Sequence, residues 1–215
     1  MLISRKHHFV FIHIYKNAGT SITEALLPFA AGQWNRRINA IINRFGVLYP
    51  LGPNPYHGHI KASELVEKMG RGTFSSYFSF AIVRNPWDRQ VSLYTYMLKN
   101  TRHRQHELIK SLQSFDRYIE WVCAQDVTYQ KDFVTSATGE QLVDFIGKYE
   151  NLDADFGQIC SRIGISATLP KLNISKARPY QDYYSQKTID LVRGKFEPDI
   201  SLFDYEFEPM TSIVD

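Results

Sequence analysis

Near the start of this 215-residue chain, a short apolar run, a glycine turn and an amphipathic stretch follow one another directly, and this most constrains its fold. Phe9-Val-Phe-Ile-His-Ile14 is β-branched and aromatic and far too short to cross a bilayer, which predicts a buried strand. Lys16-Asn-Ala-Gly19 reads as a turn, and residues 20–29 then place Ile22, Ala25, Leu26 and Phe29 at helical spacing. Strand, glycine loop and helix in this order open an α/β unit of the nucleotide-binding kind.

The rest of the chain extends the pattern. Further strands are predicted over residues 77–83 and 142–149, and helices over 61–69, 115–124, 153–163 and 185–196. The helix at 61–69 is stopped by Gly70 and Gly72. Another helix begins at Pro86 with Asn85 as its N-cap, and Pro198 starts a last short element. A short helix is expected around residues 37–44, and the polar, basic segment 101–113 reads as a loop or frayed helix. Strands alternating with helices predict an α/β fold with a mostly parallel central sheet flanked by helices. With no repeat, low-complexity tract or dividing linker, one domain over residues 1–215 is expected, with insertions near 31–58 and 100–130.

Bulk properties remove several function classes. A net charge of +3 permits an anionic ligand without marking a nucleic-acid binder. Cys123 and Cys160 stand alone, which excludes a zinc ribbon and argues for two reduced, buried thiols rather than a disulfide framework. No stretch is long and apolar enough for a transmembrane helix, and the N-terminus lacks the pattern of a signal peptide.

The loop Tyr15-Lys-Asn-Ala-Gly-Thr-Ser21 lies where a strand hands over to a helix, and a helix N-terminus offers backbone N–H groups and a positive dipole end. Gly19 permits close backbone approach, Thr20 and Ser21 carry hydroxyls, and Lys16 a positive charge, a set suited to phosphate or sulfate. It is not a Walker A loop, since Lys16 precedes the single glycine instead of following the last one. The same residues also fit an ordinary βα turn with an exposed lysine.

A second strand-to-helix turn, Arg84-Asn-Pro-Trp-Asp-Arg-Gln-Val-Ser92-Leu-Tyr94, puts Arg84 at a strand's carboxyl end, the ligand-facing edge of an open α/β sheet. Ser92 can present its hydroxyl to the same anion; alternatively, Arg84 pairs with an acid and Ser92 is buried. Together, the two segments resemble the sulfotransferase superfamily, and within it the carbohydrate sulfotransferases related to heparan sulfate 2-O-sulfotransferase. Further similarity lies at Asp144-Phe-Ile-Gly-Lys-Tyr-Glu-Asn-Leu152 and over residues 183–207, while 31–56 and 100–130 are largely unmatched. Tyr15 departs from the proline common before the lysine.

The resemblance implies a P-loop-like sulfotransferase fold and 3′-phosphoadenosine 5′-phosphosulfate as sulfonate donor, with no metal. Lys16, Asn17, Ala18, Gly19, Thr20 and Ser21 would then hold the 5′-phosphosulfate, and Arg84 and Ser92 the 3′-phosphate. Lys176 and Arg178, in Ser175-Lys-Ala-Arg178, are candidates for a late loop over the nucleotide, and equally fit a solvated basic turn. Tyr56-His-Gly-His59 resembles a Y-H-G-H stretch of the 2-O-sulfotransferases whose second histidine is the catalytic base. His59 is accordingly assigned as base and His57 as acceptor-side support. Histidine suits the task because its ordinary pKa lies near neutrality. A His pair one residue apart also suits a metal, but no third ligand stands at recognisable spacing. His13, inside the first strand, reads as an interior histidine.

The expected acceptor is a hydroxyl, with a glycan favoured and a protein tyrosine, lipid headgroup or small metabolite left open, and with Arg36 and Arg37 on its side of the site; a basic run equally fits a solvated loop. A P-loop-like nucleotide kinase and a non-catalytic nucleotide-binding module are the alternatives. Golgi relatives of the family carry an anchor and stem before the first loop, whereas here the first strand starts within about ten residues of Met1. The expectation is therefore a soluble, cytoplasmic enzyme unless an anchor precedes this sequence.

Overall fold

The computed structural model describes residues 1–30, 58–170 and 178–208. The chain divides into two compact units: Met1–Val83 with Asp132–Ile174, and Arg84–Lys131 with Ser175–Asp215. The first is an α/β unit and the second is helical.

In the α/β unit the strands β1 (Leu2–Ser4), β2 (Phe9–Ile12), β3 (Phe78–Val83) and β4 (Phe145–Lys148) form one sheet in the order β1-β2-β3-β4. β1 pairs antiparallel with β2, and the other neighbours are parallel. The sheet is thus mostly parallel, as the alternation of elements predicts, and β1 is an edge strand that three residues of Leu-Ile-Ser pattern did not announce. Parallel strands covered on both faces read as unbroken apolar runs. β2 behaves so, with all four residues buried, and Phe9, Val10 and Ile12 fully enclosed.

On one face Phe9, Phe11, Phe80 and Ile82 pack against Ile22 and Leu26 of helix α1 (Gly19–Ala30). Phe156, Ile159 and Cys160 of a later helix, Leu152–Arg162, complete that layer. Helix α2 (Ala62–Met69) ends at Gly70, whose positive φ of 83° is backbone that glycine adopts without steric cost. Gly72, expected as a second stop, instead lies inside α3 (Arg71–Ser75). β4 is tied down at both ends by carboxylates. The Asp144 side chain accepts from the N–H and hydroxyl of Ser79, each at 2.7 Å, and Asp155 accepts from the N–H of Lys148 at 2.6 Å.

The helical unit contains α4 (Pro86–Lys99), α5 (His106–Ser111), α6 (Phe115–Cys123), then, beyond the α/β unit's Leu152–Arg162 helix (α7), α8 (Gln186–Lys195) and α9 (Glu197–Phe203). Asn85 caps α4 as expected, its side-chain oxygen accepting from Trp87 N–H at 3.0 Å, with Pro86 in the first turn. The polar segment expected as loop or frayed helix contains the short α5. Buried Ile109 anchors α5, and its His106 Nδ1 bonds to Met97 O of α4 at 2.9 Å. Trp87, Val91, Phe115, Tyr118, Val192 and Phe196 form the unit's core. Both cysteines are free thiols, and burial pushes Cys123 up to about 11. The helix expected at 37–44 lies outside the described residues. Among the described residues no helix is long and apolar enough to cross a membrane.

Candidate active site

The chain leaves β2 at Ile12, and the residues that follow form the loop expected to cradle an anion. Two of its residues have left-handed backbones although neither is glycine: Lys16 at φ 69° and Ala18 at φ 56°. Each such residue carries a steric cost of about 1–2 kcal/mol, so surrounding contacts must hold the loop in place. Asn17, between them, supplies one. Its side chain is 1 % exposed, and its Nδ2 donates to the carbonyl of Ile82 on β3 at 2.8 Å. The loop is thereby pinned to the neighbouring parallel strand at its carboxyl end, and any direct ligand contact by Asn17 falls to its backbone.

The first helical hydrogen bond of α1 runs from Ile22 N–H to Ala18 O at 3.1 Å. The N–H groups of Gly19, Thr20 and Ser21 therefore precede the ladder, at the positive end of the helix. Thr20 is exposed, and Gly19 is buried. A Cβ at Gly19 would overlap Nε2 and Cδ2 of the His13 imidazole and stand 2.6 Å from Cε1. Glycine is required here because a ring occupies the space a side chain would need.

His59 lies against the same loop. Its Nδ1 is 3.0 Å from the main-chain carbonyl oxygen of His13. A carbonyl can only accept, so Nδ1 carries a proton, and of the two neutral tautomers the bond selects the one with its lone pair on Nε2. The His59 ring is 4.5 Å from that of His13 at 55° and 5.4 Å from Tyr15 in an edge-on contact. His59 itself is exposed. Burial pushes His13 down to about 3, with smaller contributions from the Met1 amino group and His59, so His13 is neutral at physiological pH.

The helical unit holds the second group. The Nε of Arg84 donates to Asp88 Oδ2 at 2.7 Å in an ion pair whose side chains are 12 % and 22 % exposed. Arg84 thus has an acid partner as well as a place at the start of α4. Asp88 and Ser92, four residues apart on that helix, share a face. Sequence reasoning missed Gln130, which is fully buried and bonds Arg84 reciprocally through its side-chain amide. It also missed Asp199, fully buried, which accepts from the N–H groups of Gln130 and Lys131, both at 2.9 Å. Burial pushes the Arg89 guanidinium below its usual range, and Asp199 opposes that shift. Arg178 is exposed and lies 4.0 Å above the Tyr183 ring, a cation–π contact. His57, Arg36, Arg37 and Lys176 lie outside the described residues.

The α/β unit therefore brings together Lys16, Asn17, Ala18, Gly19, Thr20, Ser21 and His59, and the helical unit orders Arg84 with Ser92 on α4. Comparison with known proteins gives the family. The chain is 31 % identical over 105 residues to an uncharacterized protein of Archaeoglobus fulgidus, an alignment covering 47 % of this chain and 80 % of the relative. The family model described as the sulfotransferase family matches residues 1–206. The chain belongs to the sulfotransferase family.

Proposed function

We propose that the protein moves a sulfonate group from 3′-phosphoadenosine 5′-phosphosulfate to a hydroxyl on a carbohydrate, on a P-loop-like fold with His59 as general base. The observation that carries this reading is the bond from His59 Nδ1 to the His13 carbonyl, which leaves Nε2 as the proton acceptor beside the anion loop. The donor nucleotide supplies an activated sulfur–oxygen bond with a bisphosphate leaving group. The chain's own groups fit such a ligand: a lysine, the N–H groups of a helix N-terminus and a Thr hydroxyl in the first loop, and an oriented arginine with a serine one turn beyond its acid partner in the second.

In this reading Thr20, Ser21 and the backbone of Asn17, Ala18 and Gly19 hold the 5′ end, and Arg84 and Ser92 the 3′-phosphate, with Lys176 and Arg178 contributing from the late loop. His57, Arg36 and Arg37, which lie outside the described residues, are assigned to the acceptor side from the sequence alone. His59 Nε2 takes the acceptor's proton as its oxygen bonds to sulfur, while the bond from sulfur to the bridging oxygen breaks. Lys16 stabilises the charge that grows on that oxygen. Pre-oriented charge of this kind is commonly the largest part of a catalytic effect.

The test is transfer of labelled sulfonate across a panel of glycan, phenol and small-alcohol acceptors. Lys16→Ala and His59→Ala are each expected to lower kcat about 100-fold or more. Wild-type rates in either variant would remove that residue's role. Preference for ATP with magnesium over the 3′,5′-bisphosphate would turn the reading to a kinase. Bisphosphate binding without transfer to any acceptor would turn it to a binding module.

A further inference from the structure

His13 takes no part in the chemistry above, yet it touches both halves of it. We propose that His13 is the positioning residue of His59, its ring wedged between Gly19 and the base so that the first turn of α1 and the base are held as one piece. The inference rests on the reading of His59 as the base.

The wedge is built from fixed parts. Ile12, the residue before His13, is paired with Ala81 in the parallel ladder and fully buried, so the main chain entering residue 13 has little freedom. The His13 ring stacks on Phe11 at 5.7 Å and 18°, the neighbour two residues back on the same side of the strand. Its far edge fills the space over Gly19 that any side chain would claim. His59 then meets this assembly twice, through the His13 carbonyl and through the His13 ring.

His59 needs such a support. It is exposed, one residue before the buried Ile60 and three before α2, and an exposed imidazole loses rotamer freedom only through what it touches. Burial keeps the His13 ring uncharged, so the positive charge that His59 acquires on taking a proton faces a neutral neighbour rather than a second imidazolium. A misplacement of a reacting group by about 1 Å is enough to cost about 100-fold in rate, which is the scale on which such a wedge acts.

The experiment compares His13→Ala, which removes the wedge, with His13→Phe, which keeps an aromatic ring in the same place. His13→Ala is expected to lower kcat about 10- to 100-fold with donor KM within about threefold, and His13→Phe to recover most of that loss. The ring nitrogens of His59, followed by ¹⁵N NMR, should report the Nδ1–H tautomer in wild type and His13→Phe, and an average of both tautomers in His13→Ala. Unchanged kcat with a single tautomer in His13→Ala would overturn the proposal, as would a His13→Phe variant as slow as His13→Ala. If His59→Ala kept full activity, the base assignment would fall, while the tautomer comparison would still decide whether His13 orients that ring. Should His13→Ala not fold, Gly19→Ala attacks the wedge from the other side. Its effect should persist with His13→Phe, whose ring still fills the space over residue 19, and fall to less than half with His13→Ser, which empties it, whereas strict additivity with His13→Ser would overturn the proposal.

Discussion

The side-chain amide of Gln130 forms a closed pair with the main chain of Arg84, accepting from its N–H at 2.9 Å and donating to its carbonyl at 2.8 Å. The amide thereby satisfies both main-chain polar groups of Arg84. Asp199 fixes the donor in turn by accepting from the N–H groups of residues 130 and 131. The guanidinium is held separately by Asp88, so backbone and side chain of Arg84 are both oriented before any ligand arrives. Such preorganisation reduces the ordering cost that binding must otherwise meet.

Gln130→Ala should therefore cost both stability and nucleotide affinity. Removing one partner of a buried pair leaves the other groups short of a hydrogen bond, at about 1–3 kcal/mol. Urea unfolding should show that loss. Calorimetric titration with adenosine 3′,5′-bisphosphate should show affinity about 10-fold weaker, whereas Ser201→Ala, at an exposed site on α9, should leave affinity unchanged. Equal affinity in the Gln130 variant would mean that Arg84 needs no help to reach its ligand.

The two loops were legible in the sequence because their chemistry is local. A lysine, a glycine and two hydroxyls within six residues, or Asn-Pro after an apolar run, announce a helix N-terminus without any knowledge of tertiary contacts. The supports were not legible. Gln130 lies 46 residues from Arg84, in a stretch with no helical or strand period to show which way its side chain points. Gly19 was legible as a glycine that permits close approach, but its reason is the ring of His13, six residues back, brought over it by the fold. Strand β1 escaped because three residues carry too little alternation to stand out. Polar residues serving as internal scaffolding resemble surface residues until the fold is known.

The neutral state of His13 has a consequence for acid stability. Burial lowers its pKa from the ordinary 6.5 to about 3. Below pH 6.5 the unfolded chain binds a proton here that the folded chain refuses, so stability is fully present above about 6.5 and is lost as pH falls toward 3. One proton gives a slope of at most about 1.4 kcal/mol per pH unit, which the ring's partial contact with water reduces. The difference between wild type and His13→Phe in urea unfolding at pH 7.5, 6, 5 and 4 isolates this contribution, since phenylalanine does not titrate. The wild type should lose stability relative to His13→Phe as pH falls, and parallel curves would place the histidine's pKa near its ordinary value.

Two glycines outside the anion loop should respond in opposite senses to the same substitution. Gly147, in the middle of β4, has no room: a Cβ there would stand 2.6 Å from Ile82 Cδ1 and 3.1 Å from both Cβ and Oδ2 of Asp155. Asp155 also accepts from Lys148 N–H and Asn151 Nδ2, so it cannot retreat without losing its hold on the end of β4. Gly147→Ala should cost about 1–3 kcal/mol, in the range of overpacked cores. Gly157, exposed on α7, has nothing within 4 Å of the same position. There alanine restricts the unfolded chain and suits a helix better, so Gly157→Ala should raise stability by about 0.5–1 kcal/mol. Thermal unfolding of the two variants side by side is the check. A Gly147→Ala protein as stable as wild type would show that Ile82 and Asp155 yield without cost, so that the close packing of β4 against α7 does not depend on the glycine.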